Sequence, residues 1–205
     1  MLRVGLTGGI ACGKSTVAAM MRELGCVVFE ADPLAHRLIE PGQPAYEEVI
    51  QEFGRQVCAP DGRIDRARLG QIVFADRLKL SLLNHIVHPR VAESLNRELV
   101  ALERVEPRAV VVVEAALIIE AGYHKRLDRL VVVWCLPEQQ IERLMDPRLG
   151  RGMTRQQAEQ RISAQMPLDE KRRLADDEID CSGSLEKTRR QVETLVAKFK
   201  LLAVA

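Results

Sequence analysis

The chain has 205 residues, 47% of them hydrophobic, which is enough for one compact domain with a sizeable core and room for insertions. Its 30 basic and 29 acidic residues leave a net charge of +1, so no general attraction to nucleic acid or to anionic membranes is expected. The longest apolar runs, such as residues 130–136, are far shorter than the roughly 18 residues of a membrane-spanning helix.

The cysteines and the N-terminal residues indicate the compartment. The five cysteines are scattered and form no C-x-x-C pair, which is typical of reduced intracellular thiols rather than of a zinc or redox site. The four histidines have no metal-ligand spacing either. The opening MLRVGLTGG lacks the extended apolar segment of a secretory signal. We therefore expect a cytoplasmic protein with no nucleic-acid or membrane partner, and a monomer, with weak self-association as the alternative.

Short apolar runs alternate with helical patterns along the chain. Residues 2–6, 26–29, 109–113 and 130–135 are rich in β-branched side chains and apolar on both faces, as buried parallel strands are. Residues 14–24 follow the first run and place apolar side chains at helical spacing, with a glycine next in the chain to end the helix. The alternation predicts an α/β fold with three layers and a parallel sheet of about five strands.

Three further segments lie outside the predicted strands. Residues 33–108 far exceed the dozen residues that a crossover requires, so they predict a helical insertion, with helices at 45–53, 67–74 and 78–102. Residues 143–173 carry seven arginines and one lysine against four acidic residues, a local charge of 8 − 4 = +4, and predict a mobile helical lid. Apolar positions at helical spacing predict that residues 185–205 form a closing helix on the core.

The strongest functional pattern is GGIACGKS at residues 8–15, between the first predicted strand and helix. Its glycines let the backbone curl around phosphate oxygens, and the helix then points its N-terminal amides at the anion. Lys14 can reach the β and γ oxygens, Ser15 can join the coordination shell of Mg²⁺, and Thr16 adds a donor near the α-phosphate. The pattern predicts a P-loop NTPase fold and an ATP site made of Gly9, Ala11, Cys12, Gly13, Lys14, Ser15 and Thr16.

Two carboxylates follow predicted strands, at the sheet edge where ligands of open α/β folds gather. Asp32 can align an acceptor hydroxyl and take its proton late in phosphoryl transfer, and the alternative role is a helix N-cap before Pro33. Glu114 stands where a carboxylate would hold Mg²⁺ through water, and a solvated strand end is the alternative.

Cys12 and the arginines of residues 143–173 each allow two interpretations, one with a role in the chemistry and one without. Cys12 lies at a helix N-terminus, whose field can lower the pKa of a thiol, but a small residue at a variable position is the favoured interpretation. The lid arginines can neutralise charge on a transferring phosphoryl group, although a surface role is favoured for any single one of them.

Several separate motifs resemble those of the dephospho-CoA kinase family, and together they cover almost the whole chain. VGLTGGIACGKSTVA is similar to the family's opening, and residues 30–32 (EAD) to its acidic motif after the second strand. Residues 39–42 (IEPG) and 84–89 (NHIVHP) resemble pieces of its CoA-binding insertion. Residues 161–180 are similar to its R-I-x-x-Q-x-P, K, A-D and I-D sequence, the most specific match after the loop.

The resemblance implies ATP-dependent phosphorylation of the ribose 3′-hydroxyl of dephospho-CoA, with Asp32 as the base, Lys14 as a catalytic cation and Mg²⁺ as the cofactor. The lid segment DPRLGRG is longer than the family's usual R-D-G segment, so the catalytic arginine is Arg148 or Arg151. Ala116 replaces the family's usual proline, and Cys181 replaces an asparagine near adenine. We therefore expect an altered loop after the third strand and an adenine held mainly by backbone groups.

Other functions share part of this pattern. Another small-metabolite or nucleoside monophosphate kinase would have the same loop, insertion and lid. A GTPase is disfavoured because no N-K-x-D guanine motif follows the loop. A nucleotide-sensing module without catalysis is disfavoured by the intact Lys14, Ser15 and Asp32.

Overall fold

The computed structural model describes residues 1–149 and 152–204, and the chain divides into two compact units. The first unit comprises Met1–Glu30 and Leu102–Ala205, and the second comprises Ala31–Ala101. In chain order, the α-helices are α1 (Lys14–Glu23), α2 (Ala31–Leu38), α3 (Tyr46–Phe53), α4 (Arg66–Phe74), α5 (Arg77–Val105), α6 (Pro137–Met145), α7 (Arg155–Ser163), α8 (Leu168–Arg173) and α9 (Leu185–Val204). Within the described ranges, none of them combines the length and apolar character that crossing a membrane requires.

The first unit is built on a parallel sheet with the strands β1 (Leu2–Gly8), β2 (Val27–Glu30), β3 (Val110–Glu114), β4 (Arg129–Trp134) and β5 (Asp177–Asp180). Their order is β2-β3-β1-β4-β5, and every neighbouring pair is parallel. The predicted α/β fold with about five parallel strands is confirmed. Because β3 lies between β1 and β2, the ends of β1 and β2 are separated by two strand spacings, about 10 Å.

The edge strand β5 has no counterpart among the runs that the sequence placed as strands. Its sequence, DEID, contains a single apolar residue, Ile179, which is buried. The strand pairs only with β4. An edge strand that buries one side chain lacks the continuous apolar run by which the central strands were predicted.

The helices α1 and α9 pack against each other and contact the sheet. Val17 and Met21 of α1 lie in one core cluster with Val192, Val196 and Phe199 of α9, and all five side chains are buried. Burying an apolar side chain of this size contributes about 1.5–3 kcal/mol to folding. The apolar stripe of α9 therefore belongs to the core that supports β1 and the loop after it.

The second unit consists of α2, α3, α4 and most of α5, and it has polar contacts of its own. The side chain of Asp65 caps α4 by accepting hydrogen bonds from the amides of Ala67 and Arg68, at 3.0 and 3.1 Å. Arg90 of α5 forms an ion pair with Glu48 of α3. That residues 33–108 bind a substrate stays a prediction.

Gly8, the last residue of β1, has no room for a side chain. A Cβ atom there would overlap the carbonyl oxygen of Val133, its register partner on β4. We expect Gly8→Ala to lower the free energy of unfolding by about 1–3 kcal/mol, because the paired backbones must move apart. Urea denaturation measures this change.

Gly70→Ala is the matched control, since Gly70 lies inside α4 and the nearest atom to its added Cβ is a ring carbon of Phe74 at 3.6 Å. Alanine in a helix is more stable than glycine by up to about 1 kcal/mol. The control should therefore be as stable as the wild-type protein or more so. A Gly8→Ala variant that is equally stable would contradict the packing account.

Candidate active site at the phosphate-binding loop

The loop between β1 and α1 contains two residues in the left-handed region. Gly13, which precedes α1, has a φ of 101°, and Ala11 has a φ of 62°. The left-handed conformation costs a residue with a Cβ roughly 1–2 kcal/mol. Strain of this kind persists only where the surrounding structure holds the backbone in place, and it is common at ligand-binding loops.

Side chains of α6 hold the outer side of this loop. Nε2 of Gln140 donates to the carbonyl oxygen of Ile10 at 2.8 Å, and Nη1 of Arg143 donates to that of Ala11 at 3.2 Å. Nη2 of Arg143 also donates to the carbonyl oxygen of Cys181 at 2.9 Å. These bonds to the carbonyls of Ile10 and Ala11 fix the course of the loop backbone from α6.

Gln165, which lies just before α8, contacts the same loop. Its Oε1 accepts a hydrogen bond from the amide of Ile10 at 3.0 Å. Gln165 is the glutamine of the R-I-x-x-Q-x-P pattern, to which sequence reasoning assigned no individual role. The contacts of Gln140, Arg143 and Gln165 join residues that are far apart in the chain, so no local spacing predicted them. The R-I-x-x-Q-x-P match was the one signal that pointed to Gln165.

Glu114, the last residue of β3, brings together the two loop side chains with the most specific predicted roles. It is only 6% exposed, and its Oε1 accepts hydrogen bonds from Nζ of Lys14 and, at 3.2 Å, from Oγ of Ser15. The alternative of a solvated strand end is therefore wrong. An ammonium, a hydroxyl and a carboxylate converge at the carboxyl edge of the sheet, and Ser15 and Thr16 both remain exposed there.

Cys12 is not prepared for thiolate chemistry. It is fully buried, and its Sγ lies 3.6 Å from Sγ of Cys135. The hydrogen bond with Cys135 and burial together raise the pKa of the Cys12 thiol well above its usual range. This agrees with the favoured interpretation of a small packed residue rather than a reactive one.

Cys181 packs beside the loop through its side chain and is bonded through its backbone. A Cβ added to Gly13 would lie 3.3 Å from Sγ of Cys181. Burial raises the pKa of the Cys181 thiol, which is therefore neutral at pH 7. The carbonyl oxygen of Cys181 accepts a hydrogen bond from Arg143. That backbone groups near Cys181 hold adenine stays a prediction.

Arg148, one of the two predicted lid arginines, is bonded within its own turn. Its Nε and Nη2 donate to the carboxylate oxygens of Asp146, at 3.0 Å to Oδ1 and 2.7 Å to Oδ2. The side chain of Arg148 is nevertheless 88% exposed. Arg151, the other candidate, lies outside the described residues. Which arginine is catalytic stays a prediction.

Asp32 lies in the second unit, within the first turn of α2, and follows Glu30 of β2 by two residues in the chain. A carboxylate in a first turn interacts favourably with the helix dipole, so Asp32 suits this position without being the residue that precedes the helix. His36 lies one turn further along. Burial and the charge of Arg66 lower the pKa of His36, and the charge of Asp32 opposes them. The imidazole is therefore neutral at pH 7.

Comparisons with known proteins agree with this geometry. A family model described as dephospho-CoA kinase matches residues 2–187. A dephospho-CoA kinase of Carboxydothermus hydrogenoformans is 44% identical over 197 residues, which are 96% of this chain and 94% of the relative.

Solved structures show the same fold. The crystal structure of TT1252 from Thermus thermophilus has a TM-score of 0.78 and 34% identity, with 96% of this chain and 97% of that chain covered. A dephospho-CoA kinase from Campylobacter jejuni shares the fold, with a TM-score of 0.70 at 24% identity over 97% of both chains. The chain belongs to the dephospho-CoA kinase family.

Proposed function

We propose that the chain transfers the γ-phosphoryl group of ATP to the ribose 3′-hydroxyl of dephospho-CoA, which yields CoA and ADP in the last step of coenzyme A biosynthesis. The observation that carries this proposal is the cluster of Lys14, Ser15 and Glu114 at a complete phosphate-binding loop, in a chain of this kinase family. The proposed compartment is the cytoplasm, and the proposed form is a monomer.

The loop residues Gly9, Ala11, Cys12 and Gly13 are proposed to bind the ATP phosphates through their backbone, with Thr16 near the α-phosphate. The N-terminus of α1 adds a positive end of the helix dipole at the same point. Lys14 is proposed to neutralise the charge that spreads over the oxygens of the transferring group, the main requirement of a loose phosphoryl-transfer transition state. Its bond with Glu114 keeps the ammonium at the sheet edge.

Mg²⁺ is the proposed cofactor, because the donors at the loop suit it. The ion prefers oxygen ligands and keeps several waters. The Ser15 hydroxyl lies 3.2 Å from the Glu114 carboxylate, so an oxygen ligand and a carboxylate that can hold a bound water stand together. Ser15 would bind the ion directly and Glu114 through water. When bound, Mg²⁺ supplies charge neutralisation on the β and γ oxygens of ATP.

Asp32 is the proposed catalytic base. The support is its place in the chain, directly after β2, since ligands of open parallel sheets bind beyond the carboxyl ends of the strands. Its carboxylate would orient the acceptor hydroxyl and accept its proton late in the transfer. The helical residues 33–108 are proposed to bind dephospho-CoA, and residues 143–173 to act as the lid that supplies a catalytic arginine.

An acceptor panel tests the proposed reaction. The purified protein, with ATP and Mg²⁺, should release ADP when dephospho-CoA is added, and much more slowly with nucleoside monophosphates or small hydroxylated metabolites. Coupled detection of ADP measures the rate, and mass spectrometry identifies CoA as the product. No turnover of dephospho-CoA, or a faster rate with another acceptor, would overturn the proposal.

Asp32→Asn should lower kcat by more than about 100-fold while ATP binding is nearly unchanged, because a general base acts in the transition state. Steady-state kinetics and calorimetric titration with an ATP analogue measure the two effects. Glu186→Gln, which neutralises an exposed carboxylate of α9 that pairs with Arg190, is the control and should keep wild-type rates. Wild-type turnover by Asp32→Asn would reduce the residue to a structural role.

The two candidate lid arginines should separate in kinetics. We expect one of Arg148→Ala and Arg151→Ala to lower kcat by more than about tenfold, because only the arginine that reaches the phosphoryl oxygens stabilises their charge. Arg148 must leave Asp146 to do so, so Asp146→Asn should change kcat only if Arg148 is that residue. Small and equal effects of both alanine variants would mean that neither arginine is catalytic.

A further inference from the structure

Lys171 of α8 is a fully buried cation that the proposed mechanism does not use. Within residues 1–149 and 152–204, no other lysine or arginine is buried, and the side chain of Lys171 is 0% exposed. Removing an ammonium from water is costly unless partners bond it. A charge in such a place therefore needs an explanation beyond solubility or surface pairing.

The partners of Lys171 lie in the segment that follows β3. Its Nζ is 2.9 Å from Oε1 of Glu120 and donates to the carbonyl oxygen of Ala116 at 2.9 Å. Each partner accepts a second hydrogen bond. Oε1 of Glu120 accepts from the amide of Met166 at 3.1 Å, and the carbonyl of Ala116 accepts from Oγ1 of Thr7 at 3.2 Å. These five residues are called the Lys171 cluster below.

The Lys171 cluster joins the three segments that build the phosphate site. Thr7 is the residue before Gly8, at the start of the loop. Ala116 follows Glu114 by two residues, and Glu114 holds Lys14 and Ser15. Met166 follows Gln165, whose side chain accepts a hydrogen bond from the amide of Ile10. Thr7, Ala116 and Met166 are thus each one or two residues from the loop or from a group that contacts it.

We propose that Lys171 is a positioning residue for phosphoryl transfer. By holding the Ala116 carbonyl and the Glu120 carboxylate at once, it sets where Glu114 presents its oxygen to Lys14 and Ser15, and where Gln165 meets the loop. Lys171 itself is bonded to backbone and carboxylate groups of the protein rather than to the loop. This inference rests on the proposed kinase function, since the positioned Lys14 acts there on the transferring phosphoryl group.

A role in stability alone is the competing account, and the two predict different kinetics. Lys171→Met leaves the Glu120 carboxylate, whose side chain is 21% exposed, without its cation and so lowers stability, whereas removing both charges is often neutral. A stability role thus predicts that activity per folded molecule is unchanged. A positioning role predicts a loss of kcat even where the protein is folded and both charges are gone.

The test compares Lys171→Met with the double variant Glu120→Gln, Lys171→Met, with folding followed by circular dichroism and thermal melting. We expect both to lower kcat by more than about tenfold while the KM for ATP changes by less than about threefold, because ground-state contacts with ATP remain. The double variant should melt at a higher temperature than the single one. Thr7→Val, which removes only the second bond to the Ala116 carbonyl, should lower kcat in the same direction and by less.

Lys198→Met is the matched control. Lys198 of α9 forms an ion pair with Asp177 of β5, and its side chain is 45% exposed. The control should keep the wild-type kcat. Wild-type kcat in the double variant would overturn the proposal. If neither Lys171 variant folds, Thr7→Val becomes the test, and an unchanged kcat in Thr7→Val would overturn the proposal. Lack of dephospho-CoA turnover by the wild-type protein would instead contradict the proposed function.

Discussion

A loop that binds phosphate with its backbone amides must find partners for its carbonyl oxygens elsewhere. Here those partners are side chains of α6, with Gln140 on the carbonyl of Ile10 and Arg143 on that of Ala11. Because the bonds fix the loop from outside, Ala11 can hold a left-handed backbone that alone would be unfavourable. The position of Lys14 and Ser15 at the start of α1 follows from the same curl, so the rest of the site depends on these outer bonds.

The end of β3 and the segment after it carry the charge balance of the site. Glu114 is buried and pairs with Lys14, and a few residues later Glu120 pairs with the buried Lys171. Each carboxylate also accepts a hydrogen bond from a neutral donor. The donor is the Ser15 hydroxyl for Glu114 and the amide of Met166 for Glu120. Buried ions are tolerated only when such additional bonds are present. The end of β3 and the segment after it therefore contact the phosphate loop through Glu114, and Met166 and Lys171 through Glu120.

The sequence predicted those parts of the fold and site that depend on local pattern. The central strands are apolar on both faces, and Gly8, Gly13 and Lys14 have the spacing of a phosphate loop, so both were found. The strand β5 was not located, because DEID buries only Ile179. The role of Glu114 was left open between two interpretations, since burial at a strand end depends on which side chains arrive from α1.

The contacts that support the loop could not be predicted in the same way. Gln140 and Gln165 form hydrogen bonds with Ile10 at sequence separations of 130 and 155 residues. Lys171 forms one with Ala116 at a separation of 55 residues. Such pairs are set by the order of the strands and by the packing of α6 and α8, which no residue spacing encodes. In the sequence, Lys171 stands out only through the local positive charge of residues 143–173 and through the family pattern. Full burial, which distinguishes it from the other described lysines and arginines of that segment, is a property of the folded chain.

Arg143 bonds the carbonyls of Ala11 and Cys181 through two nitrogens of one planar group. The separation of the two backbone segments is therefore set by the rigid width of a guanidinium rather than by flexible side chains. Their thermal displacements should be correlated, so that a disturbance of the turn after β5 reaches the phosphate loop without passing through the sheet. In this respect the guanidinium acts as a spacer of fixed length between the phosphate loop and the turn after β5.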